Sequence, residues 1–172
     1  MKKIFIVMLS VLTYSSVLGQ TENPSVFVTN LSEEALESKT IVKKEELSIE
    51  KINYMTEQNG VVILAYESIY PMEYISTLDK ETLSNLLKSI NQEGFEKLNG
   101  LMGATPENAV EKNIKFKNAS ETIQTTAKVN GLDFESTTLR SQNNFLQIIF
   151  IGDVKSKDAQ DFMAQLEIIV IE

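Results

Sequence analysis

The stretch "VNGLDFESTTLRSQNNFLQIIFIG", residues 129–152, decides the fold of this chain. Asn130-Gly131 is a pair typical of a two-residue hairpin turn, in which both residues adopt a positive φ. The register that this turn imposes pairs Val129 with Leu132, Ala127 with Phe134, Ile123 with Thr138, and Lys128 with Asp133. It sorts apolar side chains to one face and opposes unlike charges on the other. We therefore predict that the stretch builds antiparallel sheet and carries no reacting group.

Two strands of the chain are predicted to be central. The segment "FLQIIFIG" (145–152) is apolar at both odd and even positions, and so is Val61–Tyr70. Asn59-Gly60 joins the latter to a strand at Leu47–Thr56, which predicts another hairpin. A strand that is apolar on both faces is covered on both faces, so each is expected to lie inside the sheet.

Two segments have the pattern of amphipathic helices. Residues 76–100, "STLDKETLSNLLKSINQEGFEKLNG", place leucine and isoleucine at helical spacing, which predicts about five turns. Thr77 or Asp79 is the expected N-cap, and Asn99-Gly100 is the expected end. Residues 156–172, "SKDAQDFMAQLEIIVIE", predict a closing helix that its first serine caps.

The remaining segments carry weaker signals. Ser32 is placed to cap a short helix over residues 33–38, whose glutamates would lie in the first turn. Residues 99–109 are predicted to be a glycine-rich linker, and a short strand is predicted at Ile114–Lys117 before a turn at Asn118–Ser120. The predicted order is thus hairpin, long helix, meander of three or four strands, and closing helix.

This order predicts the α+β class. Strands that come in antiparallel blocks, without alternating helices, predict a mostly antiparallel sheet made of the hairpin and the C-terminal meander. Each of the two amphipathic helices has an apolar face to bury, and at least two strands need cover on both sides. An α/β/α sandwich, in which the two helices cover the sheet, meets both requirements. We expect one such domain over residues 45–172, preceded by an N-terminal segment at 20–44.

The first 19 residues predict a secretory signal peptide. Lys2 and Lys3 precede an apolar run at Ile4–Leu12, and Gly19 stands at a small-residue cleavage position. The apolar run is shorter than the roughly 20 residues of a membrane-spanning helix. We therefore expect the chain to be exported, to the periplasm or out of the cell, with no membrane span in its mature part.

Composition argues against several classes of function. The 172 residues carry a net charge of −8, which disfavours binding to nucleic acid. The chain has no histidine and no cysteine, so the usual ligands of zinc and the usual general base are missing. We expect no metal site, no cofactor and no enzyme activity. A hydrolase that uses only carboxylates stays open, but pairs such as Glu33-Glu34 and Glu45-Glu46 are typical of a solvated surface.

Four side chains form the candidate binding site. Tyr70, Met72, Tyr74 and Met102 belong to residue types that suit the cores of protein interfaces, and they would rim an apolar patch or pocket. The alternative is purely structural. Tyr70 would then pack in the core on the same side of its strand as Leu64, and Met72 and Tyr74 would be ordinary loop packing.

The chain resembles a known superfamily over about residues 45–172. The resemblance rests on the strand "VVILAYES" before the long helix, the helix segment "TLSNLLKSI", the meander, and the closing segment "SKDAQDFMAQLEIIVI". The order is similar to that of the PsbP-like superfamily of α/β/α sandwiches, which groups photosystem II extrinsic proteins, a Ran-binding nuclear import factor and many exported bacterial proteins. Members often have an aromatic residue near the C-terminus, where this chain ends "IIVIE". The resemblance implies a binding or assembly module without enzyme activity and carries over no functional residue.

These observations favour one function and leave a second open. The first is an exported, non-catalytic module of the cell envelope or secretome that binds another envelope or secreted protein. The alternative is a carrier of a small apolar ligand, with a pocket between the sheet and the long helix. A protein-binding module requires an exposed apolar patch, whereas a carrier requires an enclosed apolar cavity. The sequence does not set the oligomeric state.

Overall fold

The computed structural model describes most of the chain. The described ranges are residues 27–28, 36–44, 47–58, 60–103, 106–165 and 167–168. The predicted signal peptide, residues 1–19, lies outside them, as does most of the N-terminal segment before residue 36. Within these ranges, no helix has both the length and the apolar character needed to cross a membrane.

The described residues form nine strands and three helices. The strands are β1 (Phe27–Val28), β2 (Leu36–Lys44), β3 (Leu47–Gln58), β4 (Val61–Ile69), β5 (Glu107–Asn113), β6 (Glu121–Val129), β7 (Leu132–Ser141), β8 (Asn144–Gly152) and β9 (Glu167–Ile168). The helices are α1 (Met72–Ser76), α2 (Lys80–Met102) and α3 (Lys157–Gln165). Strands β2 to β8 join into one seven-stranded sheet, and β1 pairs separately with β9.

The seven-stranded sheet is antiparallel throughout, in the order β2-β3-β4-β8-β7-β6-β5. It consists of two meanders, β2 to β4 and β5 to β8, which meet where β4 pairs with β8. The α+β class and the mostly antiparallel sheet are thus confirmed. The two strands predicted to be central, β4 and β8, are neighbours in the middle of the sheet and are buried along most of their length.

The hairpin of β6 and β7 forms in the predicted register. Val129 pairs with Leu132, Ala127 with Phe134, Ile123 with Thr138 and Lys128 with Asp133. Asn130 and Gly131 have φ angles of 51° and 79°, as a primed two-residue turn requires. The Lys128 Nζ lies 3.0 Å from the Asp133 Oδ1, so the predicted cross-strand ion pair is present. Alternation and turn chemistry together were sufficient to place these two strands.

Helix α2 packs against one face of the sheet, chiefly over β6, β7 and β8. Leu87 of the helix lies in a buried cluster with Phe145, and Leu98 lies in another with Ile149. Phe145 and Ile149 are four residues apart on one strand, so both point to the same face. Burial of each such side chain contributes about 1.5 to 3 kcal/mol of transfer free energy.

The opposite face of the sheet carries its own apolar cluster. Ile148 and Phe150 of β8 pack there with the buried Ala159 of α3. Phe116, in the connection between β5 and β6, packs against the same cluster. Helix α3 begins as predicted, because the Ser156 Oγ accepts a hydrogen bond from the Ala159 N–H at 3.3 Å.

Both long helices end elsewhere than predicted. Helix α2 continues through Asn99-Gly100 to Met102, and Gly103, with a φ of 62°, then donates its N–H to the Asn99 carbonyl at 2.8 Å. A left-handed glycine closes a helix, and the glycine that adopts this conformation here is Gly103. Helix α3 stops at Gln165, and Glu167–Ile168 forms β9 where a further helical turn was predicted. The β-branched residues at this end of the chain favour a strand.

Strands are present where a short helix and a linker were predicted. The last three residues of the helix predicted over residues 33–38 belong to β2, because Leu36–Lys44 pairs along its whole length with β3. This pairing outweighs a weak local preference for helix. Strand β5 occupies Glu107–Asn113 and so begins within the predicted linker at 99–109, whereas the predicted strand Ile114–Lys117 is a connection. All β5 side chains are exposed, so β5 lacks the apolar alternation that reveals a strand.

Of the two residues predicted to cap α2, Thr77 and Asp79, Asp79 is the cap, and it makes the stability of the fold depend on pH. Its Oδ1 accepts a hydrogen bond from the Thr82 N–H at 2.7 Å, which lowers the pKa of Asp79. The stabilisation is therefore present above the pKa of the unfolded chain and is lost as the pH falls through the lower, folded pKa. We expect wild type to melt at a higher temperature than Asp79→Asn at about pH 6, with the difference shrinking as the pH falls through the folded pKa of Asp79. Paired thermal melts followed by circular dichroism measure this, and a difference that does not change with pH would contradict it.

Candidate functional site

Tyr70 lies directly after β4 and is a core residue. Its side chain is 8% exposed, and its ring packs edge-on against Phe145 with the ring centroids 5.3 Å apart. Its backbone is tied to the turn between β7 and β8, because the Tyr70 N–H donates to the Asn143 carbonyl at 3.1 Å and the Asn143 Nδ2 donates to the Tyr70 carbonyl at 2.6 Å. Burial, assisted by the charge of Glu93, raises the pKa of Tyr70 to about 12. The phenol is therefore neutral near neutral pH.

Tyr74 and Met72 lie on α1, a helix of five residues that follows Pro71. Tyr74 is 38% exposed and Met72 is 47% exposed. The Tyr74 ring stacks on the Tyr70 ring, with the centroids 6.1 Å apart and 19° between the planes. Ile75 is buried in the same apolar cluster as Tyr70 and anchors α1 to the domain. We call Met72 and Tyr74 the α1 patch. The stacking of Tyr74 and the burial of Ile75 hold α1 in place.

The four predicted site residues therefore have different positions. Tyr70 contacts Tyr74 but is buried, so it supports the patch and offers little surface itself. The side chains of Met72 and Tyr74 are exposed to solvent and can contact a partner. Met102 is the last residue of α2, and its side chain lies outside the described part of the structure.

The apolar cluster beneath the α1 patch is incompletely covered. Leu47, Leu83 and Leu86 pack against the same buried cluster as Tyr70, and all three are only partly buried. Tyr74 stacks on Tyr70 of this cluster, so the partly buried leucines and the exposed tyrosine border the same apolar cluster. Exposed apolar side chains at such a cluster suit a protein interface.

A second cluster, which sequence reasoning missed, lies between α2 and the strands β3 and β4. The Lys97 Nζ is 4.7 Å from the centre of the Tyr66 ring. The Nζ of Lys51, on β3, lies 3.6 Å from the Oε2 of Glu93, which precedes Lys97 by about one helical turn. Asn53 pairs with Tyr66 across β3 and β4. We call Tyr66, Lys97, Lys51, Glu93 and Asn53 the lysine cluster.

The lysine cluster carries excess positive charge. Desolvation lowers the pKa of Lys97, and the nearby positive charge of Lys51 lowers it further, while Glu93 acts in the opposite direction. Burial raises the pKa of Tyr66 to about 12, so its ring is a neutral face for the ammonium to rest on. Two lysines and one glutamate thus make a cationic site on a chain whose overall charge is −8.

Part of the lysine cluster could have been predicted from the sequence. The Asn59-Gly60 turn sets the register of β3 and β4, which places Asn53 opposite Tyr66. Glu93 and Lys97 are four residues apart on one helix, so they are neighbours on its surface. The position of Lys97 over Tyr66, however, depends on how α2 crosses the sheet, and no local pattern reports that.

Glu67 is the one acidic side chain that is buried in the described part of the chain. Its Oε1 accepts a hydrogen bond from the Asn144 Nδ2 at 2.8 Å. A hydrolase that uses only carboxylates requires two acids that converge in a cleft. The pairs Glu33-Glu34 and Glu45-Glu46 lie outside the described residues. Across the described ranges, no group of three or more acidic, histidine or cysteine side chains is arranged to hold a metal ion.

Comparison with known proteins gives no assignment. No protein-family model matches the chain, and neither a curated protein nor a solved structure matches it. The α1 patch and the lysine cluster are therefore the two candidate sites.

Proposed function

We propose that this chain is an exported, non-catalytic module that binds another protein of the cell envelope or secretome. The observation that carries the proposal is the α1 patch, in which Tyr74 and Met72 are exposed on a firmly anchored helix. Tyrosine and methionine are enriched at the cores of protein interfaces. Because Tyr74 is already stacked on Tyr70, ordering it on binding costs less side-chain entropy than ordering a free side chain.

The proposal includes the fold that the sequence suggested, an α/β/α sandwich like that of the PsbP-like superfamily. What supports it is that α2 packs on one face of the sheet while Ala159 of α3 packs on the other. With both faces of the central strands occupied, the ends and edges of the sheet are the surfaces open to a partner. Helix α1 lies at such an end, directly after β4.

Photo-cross-linking tests whether a partner binds at the α1 patch. The photoreactive residue p-benzoylphenylalanine replaces Tyr74 in the full chain, produced in the source cells. In a matched strain it replaces Leu132, which is 40% exposed and lies at the opposite end of the strands. We expect irradiation to give one discrete adduct from position 74 and none from position 132. Equal adducts from both positions, or none from position 74, would argue against the proposal.

Tyr74→Ser is expected to weaken binding of that partner by about thirtyfold, because a central interface tyrosine contributes on the order of 2 kcal/mol. Leu132→Ser, which removes a side chain of similar exposure, should leave recovery unchanged. Both variants should keep the melting temperature of wild type within a few degrees, since neither side chain is buried. Tyr70→Ser is unsuitable as a test, because removal of this buried ring would cost about 3 to 5 kcal/mol of stability.

A further inference from the structure

In the described part of the structure, α2 does not extend over the whole of its sheet face. The helix packs chiefly over β6, β7 and β8. The strands β2 and β3 lie at the other edge of the sheet, farther from the helix. Four half-buried side chains of these strands point to the face of the sheet on which α2 packs: Ser38 and Thr40 of β2, and Lys51 and Asn53 of β3. Together they form a shelf next to α2, and the lysine cluster lies where the shelf meets the helix.

Lys97 is an exposed cation on this shelf, and the charge of Glu93 opposes the effects that lower its pKa. Its side chain is exposed, so a ligand can reach it, yet its ammonium is partly desolvated and is repelled by Lys51. Among the described residues, the ion pair of the lysine cluster joins Lys51 to Glu93, and Lys97 takes part in none. A partly desolvated cation beside a like charge is stabilised when an anion binds next to it.

Apolar side chains adjoin the lysine cluster. Tyr66 and Val62 pack along the margin of a buried cluster that includes Leu64. These two side chains are only partly buried, so each keeps some apolar surface within reach of a ligand. A molecule whose anionic group pairs with Lys97 would therefore place its remaining atoms on an apolar surface.

We propose that the shelf next to α2 binds a small anionic amphiphile, a molecule with a carboxylate or similar anion on an apolar chain, whose anionic group pairs with Lys97 and Lys51. Lys51 keeps its contact with Glu93, because an ammonium has three hydrogen-bond donors. The Tyr66 ring supports the Lys97 ammonium from the side of the sheet. This site is a shelf beside the long helix and is separate from the α1 patch.

Isothermal titration calorimetry of the full chain with dodecanoate, kept below its micelle concentration, tests the proposal. We expect saturable binding, and binding to Lys97→Gln that is weaker by about tenfold because a charge-assisted contact is lost. Lys88→Gln, at an exposed position of the same helix, is the matched control and should bind within about twofold of wild type. Lys97→Arg keeps the charge and should retain binding.

Two further ligands separate the contributions of the head group and the chain. Dodecanol lacks the anion and propanoate lacks the long chain, so each should bind at least about tenfold more weakly than dodecanoate. Dodecyl phosphate bound as tightly as dodecanoate would support an anion site that does not distinguish the two head groups. Equal affinity of wild type and Lys97→Gln for dodecanoate, or no saturable binding of either anionic amphiphile, would overturn the proposal. Tyr74→Ser should bind dodecanoate like wild type, so this outcome is independent of the protein-binding proposal.

Discussion

Asn91→Ala is expected to lower the free energy of unfolding by about 3 to 5 kcal/mol. Asn91 is 3% exposed and lies on the side of α2 that meets the sheet. Its Oδ1 accepts hydrogen bonds from the Ser136 Oγ at 3.2 Å and the Thr138 Oγ1 at 2.9 Å, and its Nδ2 donates to the Thr125 Oγ1 at 2.8 Å. Alanine removes a hydrogen-bond partner from all three hydroxyls, of which the Ser136 Oγ still accepts from the Gln147 Nε2, and each buried polar group left unpaired costs about 1 to 3 kcal/mol.

Urea denaturation followed by far-ultraviolet circular dichroism measures this loss. Asn85→Ala changes the same residue type at an exposed position of the same helix and should alter the free energy of unfolding by less than about 0.5 kcal/mol. If Asn91→Ala cost no more than Asn85→Ala, the hydrogen bonds of Asn91 would not be what holds α2 to the sheet.

Gly94→Ala and Gly100→Ala are expected to change stability in opposite directions. Alanine favours a helix over glycine by about 1 kcal/mol, so Gly100→Ala should stabilise the protein by about 0.5 to 1 kcal/mol. Nothing lies within 4 Å of a Cβ added at Gly100. A Cβ added at Gly94, in contrast, would overlap the carboxamide of Gln147. We expect Gly94→Ala to destabilise the protein by about 2 kcal/mol despite its better helix propensity.

The cost at Gly94 arises from hydrogen bonds and not from the clash alone. Gln147 is buried, and its Nε2 donates to the Asn91 carbonyl at 2.9 Å and to the Ser136 Oγ at 3.0 Å. The carboxamide can make room for a methyl group only by giving up these two bonds. In a Gln147→Ala background the space is free, so Gly94→Ala should there be neutral or stabilising. Urea denaturation of the four combinations measures the coupling, and stabilisation by Gly94→Ala in the wild-type background would contradict the close approach of helix and sheet.

These polar contacts also bear on the lysine cluster. The hydrogen bonds from Asn91 and Gln147 fix the rotation of α2 about its axis relative to the sheet. That rotation directs Glu93 and Lys97 toward β3 and β4, where they meet Lys51 and Tyr66. A loosened network should therefore weaken anion binding on the shelf even though none of its members contacts the ligand.

The sequence by itself determined the elements whose signals are local. The turn residues Asn130-Gly131 and the alternation around them set the pairing of β6 and β7, because register follows from side-chain period and turn geometry. Asp79 and Ser156 marked the starts of two helices, because a cap acts on the backbone N–H three residues ahead. Tyr74 was recognised as a candidate from its residue type, and burial of Tyr70 was one of the two alternatives, but the sequence did not show that Tyr74 is exposed while Tyr70 is buried.

Only the tertiary structure decided the features that depend on distant partners. Strand β2 is a strand because β3 pairs with it, and α2 reaches Met102 because the glycine that turns left-handed is Gly103 and not Gly100. The lysine cluster joins residues of three elements, and Lys97 stands over Tyr66 only because a buried polar network orients the helix. Local patterns report the conformation of a few neighbouring residues. The packing of one element on another is set by contacts between residues far apart in the chain, and those contacts place both candidate surfaces.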